Sequence, residues 1–293
     1  MPHSQGIHRT CAGAFLLQKM ITLGDLASNA VDYAKVHLKM WADYDWKEGA
    51  LREPFGSRPA IEITPQEIDR FLTKNCKTAA TANRSRAFFS LCYRLGMEND
   101  NVVSNPAWLV RMRKENNARL RFLSRSEYRK ISRIILTSNP RQHPAFVLSV
   151  YTGMRWGEQF SLTWNEVDLK RNVIRLTETK NGSARNVPLN SIAIDALRAQ
   201  QKLVPHKPVD KIFPEAGNYC RFWFEPAIKE AEINGYTWHN NRHTFCSWLA
   251  MTGVSIMEIQ ELAGHKTIAM SARYAHLAPE RTAAVSERLV CGA

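Results

Sequence analysis

No part of this 293-residue chain constrains its folding more than the run RMRKENNARLR over residues 111–121, a polar, charged stretch that reads as a linker between domains. Five of its residues are basic and one is acidic, with Asn116-Asn117 at the centre. Apolar periodicity, the signal of a helix or strand that packs on a core, is missing from it. A chain of this length divides into about two domains, each able to bury a core of its own, and this run marks the division. The expected layout is a tail over 1–20, a first domain over 21–110, a linker over 111–122 and a second domain over 123–293. Two readings of the linker stay open: a solvated surface segment, or a strap laid against phosphate backbones.

The first domain reads as helical. From Leu23 to Trp46, apolar residues recur at helical intervals through Leu26, Ala30, Tyr33, Ala34, Leu38 and Trp41. Thr64-Pro65-Gln66-Glu67 is a capping box, with Thr64 at the N-cap, Pro65 at the first helical position and Glu67 reaching back. Ile68, Phe71 and Leu72 follow as its inward face. A further helix is predicted from Thr78 to Leu95, with Phe88, Phe89, Cys92 and Leu95 as its core stripe. Arg84, Arg86 and Arg94 occupy its other face. Gly96 is read as its end, and Ser104-Asn105-Pro106 as the start of a short final turn.

The second domain opens on another capping box, from Ser124 to Glu127. Helical sequence runs to Val150 and turns at Thr152-Gly153. Two β-rich runs, 172–178 and 185–189, then flank Lys180-Asn181-Gly182. Asn-Gly between alternating runs is the strongest short-range hairpin signal. The remainder, from Ser191 to Val290, is mostly helical. The fold class is therefore mainly α with a small β-hairpin or sheet: an all-α domain followed by an α+β domain.

Composition sharpens the choice of partner. The chain carries 40 Lys and Arg against 27 Asp and Glu, a net charge of +13. Hydrophobic residues at 44% and charged residues at 23% exclude wholesale disorder. The positive excess points to nucleic acid or an anionic membrane. The six cysteines (Cys11, Cys76, Cys92, Cys220, Cys246 and Cys291) include no Cys-x-x-Cys pair, so neither zinc ligation nor a disulfide framework is expected. The apolar patch from Ala12 to Leu17 is too short to span a bilayer and lacks a convincing cleavage site. A soluble, cytoplasmic protein without a membrane partner is expected, which leaves nucleic acid.

Six residues of the second domain stand beside turn signals. Arg155 lies where a helix restarts after Gly153, and Lys180 sits at the hairpin tip. His239 and Arg242 share a helix face at i, i+3 spacing, His265 follows Gly264, and Tyr274 comes nine residues later. Singly, each has a bland reading: a surface arginine, a solvated lysine, a capping pair, a helix-end neighbour, a core aromatic. Together they are the parts for phosphoryl transfer through a covalent tyrosine. Arginines match phosphate oxygens in bidentate geometry and stay charged, and they stabilise charge that builds up in the transition state. A phenol, with a reference pKa of about 10, leaves more readily than an alkoxide. A lysine on a hairpin tip can protonate the departing 5′ oxygen.

These strings resemble the tyrosine recombinase, or phage integrase, family. The matching residues are Thr152-Gly153-Met154-Arg155-x-x-Glu158, Thr179-Lys180-Asn181-Gly182 before Val187-Pro188-Leu189, His239-x-x-Arg242-His243-Thr244-Phe245, Leu262-Ala263-Gly264-His265-Lys266-Thr267 and Arg273-Tyr274-Ala275-His276-Leu277. The likeness runs from Ser124 to Arg281, and a weaker one covers the first domain. It implies an all-α core-binding (SAM-like) domain followed by an α+β catalytic domain, closing on DNA from opposite sides. Carried over by position, it makes Tyr274 the nucleophile that forms a 3′-phosphotyrosine and Arg155 and Arg242 the clamp on the non-bridging oxygens. Lys180 becomes the acid for the 5′ oxygen, His239 an acid/base on the tyrosine side and His265 a hydrogen-bond partner of the phosphate. Glu158 would support Arg155 from behind, whereas Asp168 caps or packs. Arg84, Arg86, Arg119 and Arg121 are candidate DNA contacts. The chain departs from the family at Asn240-Asn241, where Asp-Leu is usual, which puts local packing in doubt.

The resemblance further implies strand exchange without metal or cofactor, on double-stranded recombination or attachment sites. Four protomers would assemble on the DNA, each tail after Tyr274 docking on a neighbour, with DNA-bending accessory proteins as possible partners. An integrase of a prophage or mobile element is the first expectation. A host recombinase that resolves chromosome dimers or inverts segments shares the chemistry. A type IB topoisomerase and a decayed integrase acting as a DNA-binding regulator are the other readings.

Overall fold

The computed structural model of the chain describes residues 20–38, 41–115, 120–176, 184–203, 207–214 and 220–279. The chain forms two compact units, Met1–Asn117 and Ala118–Ala293, with the division inside the basic run. Lys180, Arg119, the tail over 1–19 and the segment after Pro279 lie outside the described residues.

The helices of unit 1 are α1 (Leu23–His37), α2 (Ala42–Phe55), α3 (Pro65–Asn75) and α4 (Ala79–Glu98), with 3-10 turns over Ala60–Glu62 and Pro106–Leu109 and a single bridge between Thr22 and Pro59. Thr22 and Asp25 close a capping box at α1, and Thr64 and Glu67 close another at α3. The bond from Arg58, with those from the Thr64 backbone and hydroxyl, pulls the Glu67 carboxyl down to about 2. The continuous helical period from Leu23 to Trp46 resolves into two helices. Leu38 is extended, and Trp41 is exposed instead of buried. The break lets α2 fold back onto α1, so the core takes Leu51 and Phe55 in place of Trp41. Phe55, Phe71 and Phe89 then meet edge-to-face, with ring centroids 5.5 to 5.9 Å apart. Gly96 does not end α4, which runs on to Glu98. Leu26 and Val102 pack so closely on Gly96 that a Cβ there would come within 2.9 Å of Leu26 Cδ2.

Unit 2 begins on α5 (Arg125–Ser138), capped by Ser124 and Glu127. Next comes α6 (His143–Thr152), a helix buried on nearly every side, so it carries apolar residues all round. After it stand α7 (Trp156–Ser161) and a three-stranded antiparallel sheet of β1 (Val167–Asp168), β2 (Val173–Leu176) and β3 (Arg185–Pro188), in that order. The 2–3 register pairs Leu176 with Arg185 and Ile174 with Val187. Strand alternation therefore buries Ile174, Leu176 and Val187 on one face. β1 is an addition to the two strands predicted. Helices α8 (Ser191–Leu203), α9 (Cys220–Glu230), α10 (Asn240–Met251), α11 (Ile256–Ala263) and α12 (Ile268–Ala272) complete the unit. The main core gathers α5, α6, the sheet, α8 and α9 around Phe146, Phe224 and Trp238. A smaller cluster joins Cys246 and Ala250 of α10, Ile259 and Ala263 of α11, and Tyr274. No helix among the described residues is long and apolar enough to cross a membrane.

A candidate phosphate-binding site in the second unit

Four local structures converge in unit 2. The first is the turn after α6, where Gly153 adopts a left-handed φ of 61° and Arg155 becomes the N-cap of α7. Glu158 sits one turn into α7 and is buried, with 3% of its side chain exposed. Its Oε2 accepts from the Arg155 backbone N–H at 2.9 Å, and its Oε1 accepts from Arg155 Nη1 at 2.8 Å. Arg155 Nη2 donates to the Gly264 carbonyl at 2.8 Å. One arginine thus links the start of α7 to the end of α11.

Arg185 is the second contributor, and sequence reasoning passed it over. It stands on β3 on the same face as buried Val187 and donates Nη2 to Glu158 Oε2 at 2.8 Å and Nη1 to the Leu262 carbonyl at 3.0 Å. Burial alone would raise the Glu158 pKa, but Arg185 first, then the Arg155 backbone and guanidinium, hold it below the ordinary carboxylate value. Gly264 caps α11 at φ 65°, and a Cβ there would lie 2.7 Å from Arg185 Cδ. The α11 turn therefore needs glycine twice over, for its left-handed backbone and for the approach of Arg185. A signal was available: strand alternation places a cation at 185 on the inward face.

The third structure is the start of α10. Arg242 is 4% exposed and donates Nη1 to the Gly153 carbonyl at 2.8 Å. Its Nη2 is buried and has no hydrogen-bond partner among the described residues. Burial and then the charge of Arg155 lower its pKa to about 10, so it remains cationic at neutral pH. A buried cation with an idle N–H is costly unless an anion arrives. His239 precedes the helix and is exposed. The protein packed behind it and then the charges of Arg242, Arg155 and Arg273 lower its pKa. At the unusual Asn240-Asn241, the acceptor of Asn240 caps Thr237 N–H at 2.7 Å. Asn241 is fully buried, accepting from Tyr236 Oη at 2.8 Å and donating to Ser149 Oγ at 3.1 Å. A satisfied polar network stands where an apolar contact was expected, and packing there is intact.

The fourth is the segment after α11. His265, 8% exposed, pairs Nδ1 with Ser271 Oγ at 2.7 Å. Burial, followed by the charges of Arg242 and Arg155, pushes its pKa down to about 3. Its ring lies parallel to that of Tyr274, centroids 6.3 Å apart. Tyr274 is 1% exposed. Its hydroxyl meets His243 Nδ1 at 2.6 Å and lies beside the Cys246 thiol. Burial raises its pKa, so the phenol is protonated.

Of the residues expected at the site, Arg155, Glu158, Arg242, His265 and Tyr274 are drawn into one connected region, and His239 stands at its edge. Lys180 falls outside the described residues. Among the candidate DNA contacts, Arg84 is exposed on α4. Arg86 instead donates Nε to the Val110 carbonyl at 2.6 Å and Nη2 to that of Trp108 at 3.2 Å. Arg121 is paired with Glu127, the α5 capping acid. Asp168 caps the β1–β2 turn, accepting from Arg171 N–H at 3.0 Å and binding Arg175 at 2.9 Å.

Residues 121–281, more than half of the chain, match the model of the phage integrase family. The chain belongs to that family. A shufflon-specific DNA recombinase of Escherichia coli is 33% identical over 238 residues, covering 77% of this chain and 61% of that protein. The integrase of Haemophilus phage HP1 is 33% identical over 205 residues, covering 68% of this chain and 57% of that protein. The chain thus spans about three fifths of the length of these relatives. Among solved structures, a lambda integrase dimer bound to a core site superimposes with a TM-score of 0.76 at 21% identity, covering 89% of this chain and 97% of that one. A lambda integrase tetramer bound to a Holliday junction gives 0.75 at 21% identity, covering 90% and 79%. At these identities the likeness is one of fold.

Proposed function

We propose that the protein is a site-specific DNA strand transferase, cutting and rejoining DNA through a 3′-phosphotyrosine on Tyr274. The observation that carries this reading is the buried, unpartnered Nη2 of Arg242 beside Arg155 and His265. Charge balance in the pocket calls for an anion, and a phosphodiester supplies one. Arg155 and Arg242 take the two non-bridging oxygens. His265, its Nδ1 occupied by Ser271, offers Nε2 to the same phosphate. The Tyr274 oxygen forms a bond to phosphorus as the bond to the 5′ oxygen breaks, and Lys180 protonates that oxygen. A 5′-hydroxyl from a partner strand reverses the step on a new junction, conserving the phosphodiester energy.

Glu158 fixes the Arg155 guanidinium and keeps it from collapsing onto other acceptors. His239, at the edge of the cation cluster, serves as an acid/base close to the phosphate. Double-stranded attachment sites are the substrate, with four protomers on two sites, exchange of the tail after Pro279 and DNA-bending accessory proteins. The work takes place at the nucleoid. Integration and excision of a prophage or mobile element is the favoured role, supported by the phage relative, and the shufflon-specific relative keeps a recombinase of resident DNA as the second reading. Arg84, Arg119 and the remaining basic surface supply duplex affinity.

The test is a nicked suicide duplex spanning the ends of the element that carries the gene. Wild-type protein forms an adduct stable to denaturing detergent and Tyr274→Phe forms none. Tight binding without any adduct refutes the strand-transferase reading in favour of a DNA-binding regulator. Relaxation of supercoils without partner-strand exchange would assign a topoisomerase.

A further inference from the structure

The resemblance to the family gives the tyrosine-side proton to His239, but the hydroxyl of Tyr274 faces a different imidazole. His243 Nδ1 lies 2.6 Å from Tyr274 Oη, while His239 stands one helical turn away, its ring edge-on to that of His243 with centroids 5.1 Å apart. We infer that His243 is a catalytic residue of the cleavage step, accepting the proton of Tyr274 as its oxygen attacks phosphorus and returning it when the tyrosine leaves. This rests on the strand-transferase reading above.

Three observations support the assignment. Tyr274 Oη is the reacting atom, and an acceptor at hydrogen-bond distance satisfies the geometric requirement for a general base. The phenol is protonated, and with the neutral His243 ring carrying its proton on Nε2, Tyr274 Oη donates to the Nδ1 lone pair at 2.6 Å. His243 is held neutral: burial, then His239, Arg273 and Arg242, bring its pKa to about 4. The groups facing it are His239, Arg242 and Cys246 around α10, His265 after α11, and Arg273 and Tyr274 after α12. Cations outnumber acids among them, so a phosphodiester bound by the arginines adds negative charge that raises the basicity of His243 as the substrate arrives. The Cys246 thiol, the other neighbour of the hydroxyl, is a poor base: burial pushes its pKa up to about 11.

The step balances. The Oη–H proton passes to Nδ1 as the Oη–P bond forms, the bond from phosphorus to the 5′ oxygen breaks, and that oxygen takes its proton from Lys180. In rejoining, the imidazolium reprotonates the departing Tyr274.

The experiment measures single-turnover adduct formation by the full chain on the suicide duplex, with a normal phosphate and with a 5′-bridging phosphorothiolate, whose thiolate departs without a proton. Two variants are compared. His243→Ala removes the ring, whereas His243→Asn keeps an acceptor near Nδ1 with no useful basicity. Both are expected to slow cleavage about 10²–10³-fold, with Kd for DNA within about threefold, and the sulfur substrate is expected to restore neither. Wild-type cleavage by His243→Asn would reduce His243 to a clamp on the tyrosine and overturn the proposal. Rescue by the phosphorothiolate would overturn it too, by moving the residue to the leaving-group side. An adduct absent from wild-type protein as well would instead defeat the strand-transferase reading, so the two failures are distinguishable.

Discussion

Arginines in the two units are used in opposite ways. In unit 1, Arg86 closes on the carbonyls of Val110 and Trp108, and Arg113 donates to Thr73 at 2.7 Å while the Asn83 amide brackets its backbone. Arg86 ties residues 108–110 to α4 and Arg113 ties the start of the basic run to α3, with their N–H groups turned toward the chain itself. In unit 2, Arg155, Arg185 and Arg242 crowd around a single buried carboxylate, Glu158, and Arg242 keeps one N–H group idle. The first arrangement is complete without a partner. The second leaves Arg242 Nη2 buried without a partner among the described residues. Net charge of +13 therefore describes two chemically different populations, and only their hydrogen bonds tell them apart.

The largest expected effect comes from Arg242. Arg242→Ala should cut adduct formation by at least about 10³-fold while Kd for DNA changes less than about threefold, because the contact strengthens in the transition state. A matched loss of binding and cleavage would erase the distinction between the two units. Next is Arg185→Gln, which leaves Glu158 with one guanidinium and frees the α11 turn. Cleavage should fall by about 10- to 100-fold, by analogy with losses of the residues that orient catalytic ligands, measured in the same single-turnover assay. In unit 1, Arg86→Ala should lower thermal stability by about 2 kcal/mol, the scale of hydrogen bonds to a charged group, and leave the cleavage rate of folded protein unchanged.

Acid should act on unit 2 as well. His265 and His243 have folded pKa values of about 3 and about 4, below the unfolded value of about 6.5. Their contribution is fully present above pH 6.5 and is lost as pH falls toward those folded values, since the unfolded chain takes up protons first. The unfolding free energy of the second unit should therefore fall by about 2 kcal/mol for each histidine, roughly 3–4 kcal/mol in all, between pH 7 and pH 5, and His265→Gln should remove about half of that slope. The smallest effect is assigned to Arg84→Ala on the exposed face of α4. It should weaken DNA binding a few-fold and reduce the salt slope by about 1, with cleavage at saturation unchanged.

Much of this was legible in the sequence because it depends on short-range physics. The boxes at Thr64 and Ser124 formed as read, since a capping box needs only residues three apart. The order of Arg155, His239, Arg242, His265 and Tyr274 was also readable, because each stands at a turn that the local sequence announces. The break before Trp41 was not: Leu38 and Trp41 continue the apolar period, and only the return of α2 onto α1 makes a second helix better. Arg185 opened the second β-rich run and His243 stood within the His239-x-x-Arg242-His243 motif, yet neither was given a role. Their meaning lies in Glu158, 27 residues away from Arg185, and in Tyr274, 31 residues away from His243. Long-range partners of that kind leave no local trace beyond an inward-facing cation on a strand.

In the proposed reaction, the anion held by Arg155 and Arg242 is a DNA phosphate attacked by Tyr274. Its most direct test is mass spectrometry of the suicide-substrate adduct after nuclease and trypsin digestion. A nucleotide is expected on the phenolic oxygen of Tyr274, in the peptide that trypsin releases after Arg273, joined through the 3′ phosphate. A nucleotide on any other residue, or an adduct that persists in Tyr274→Phe, would contradict it.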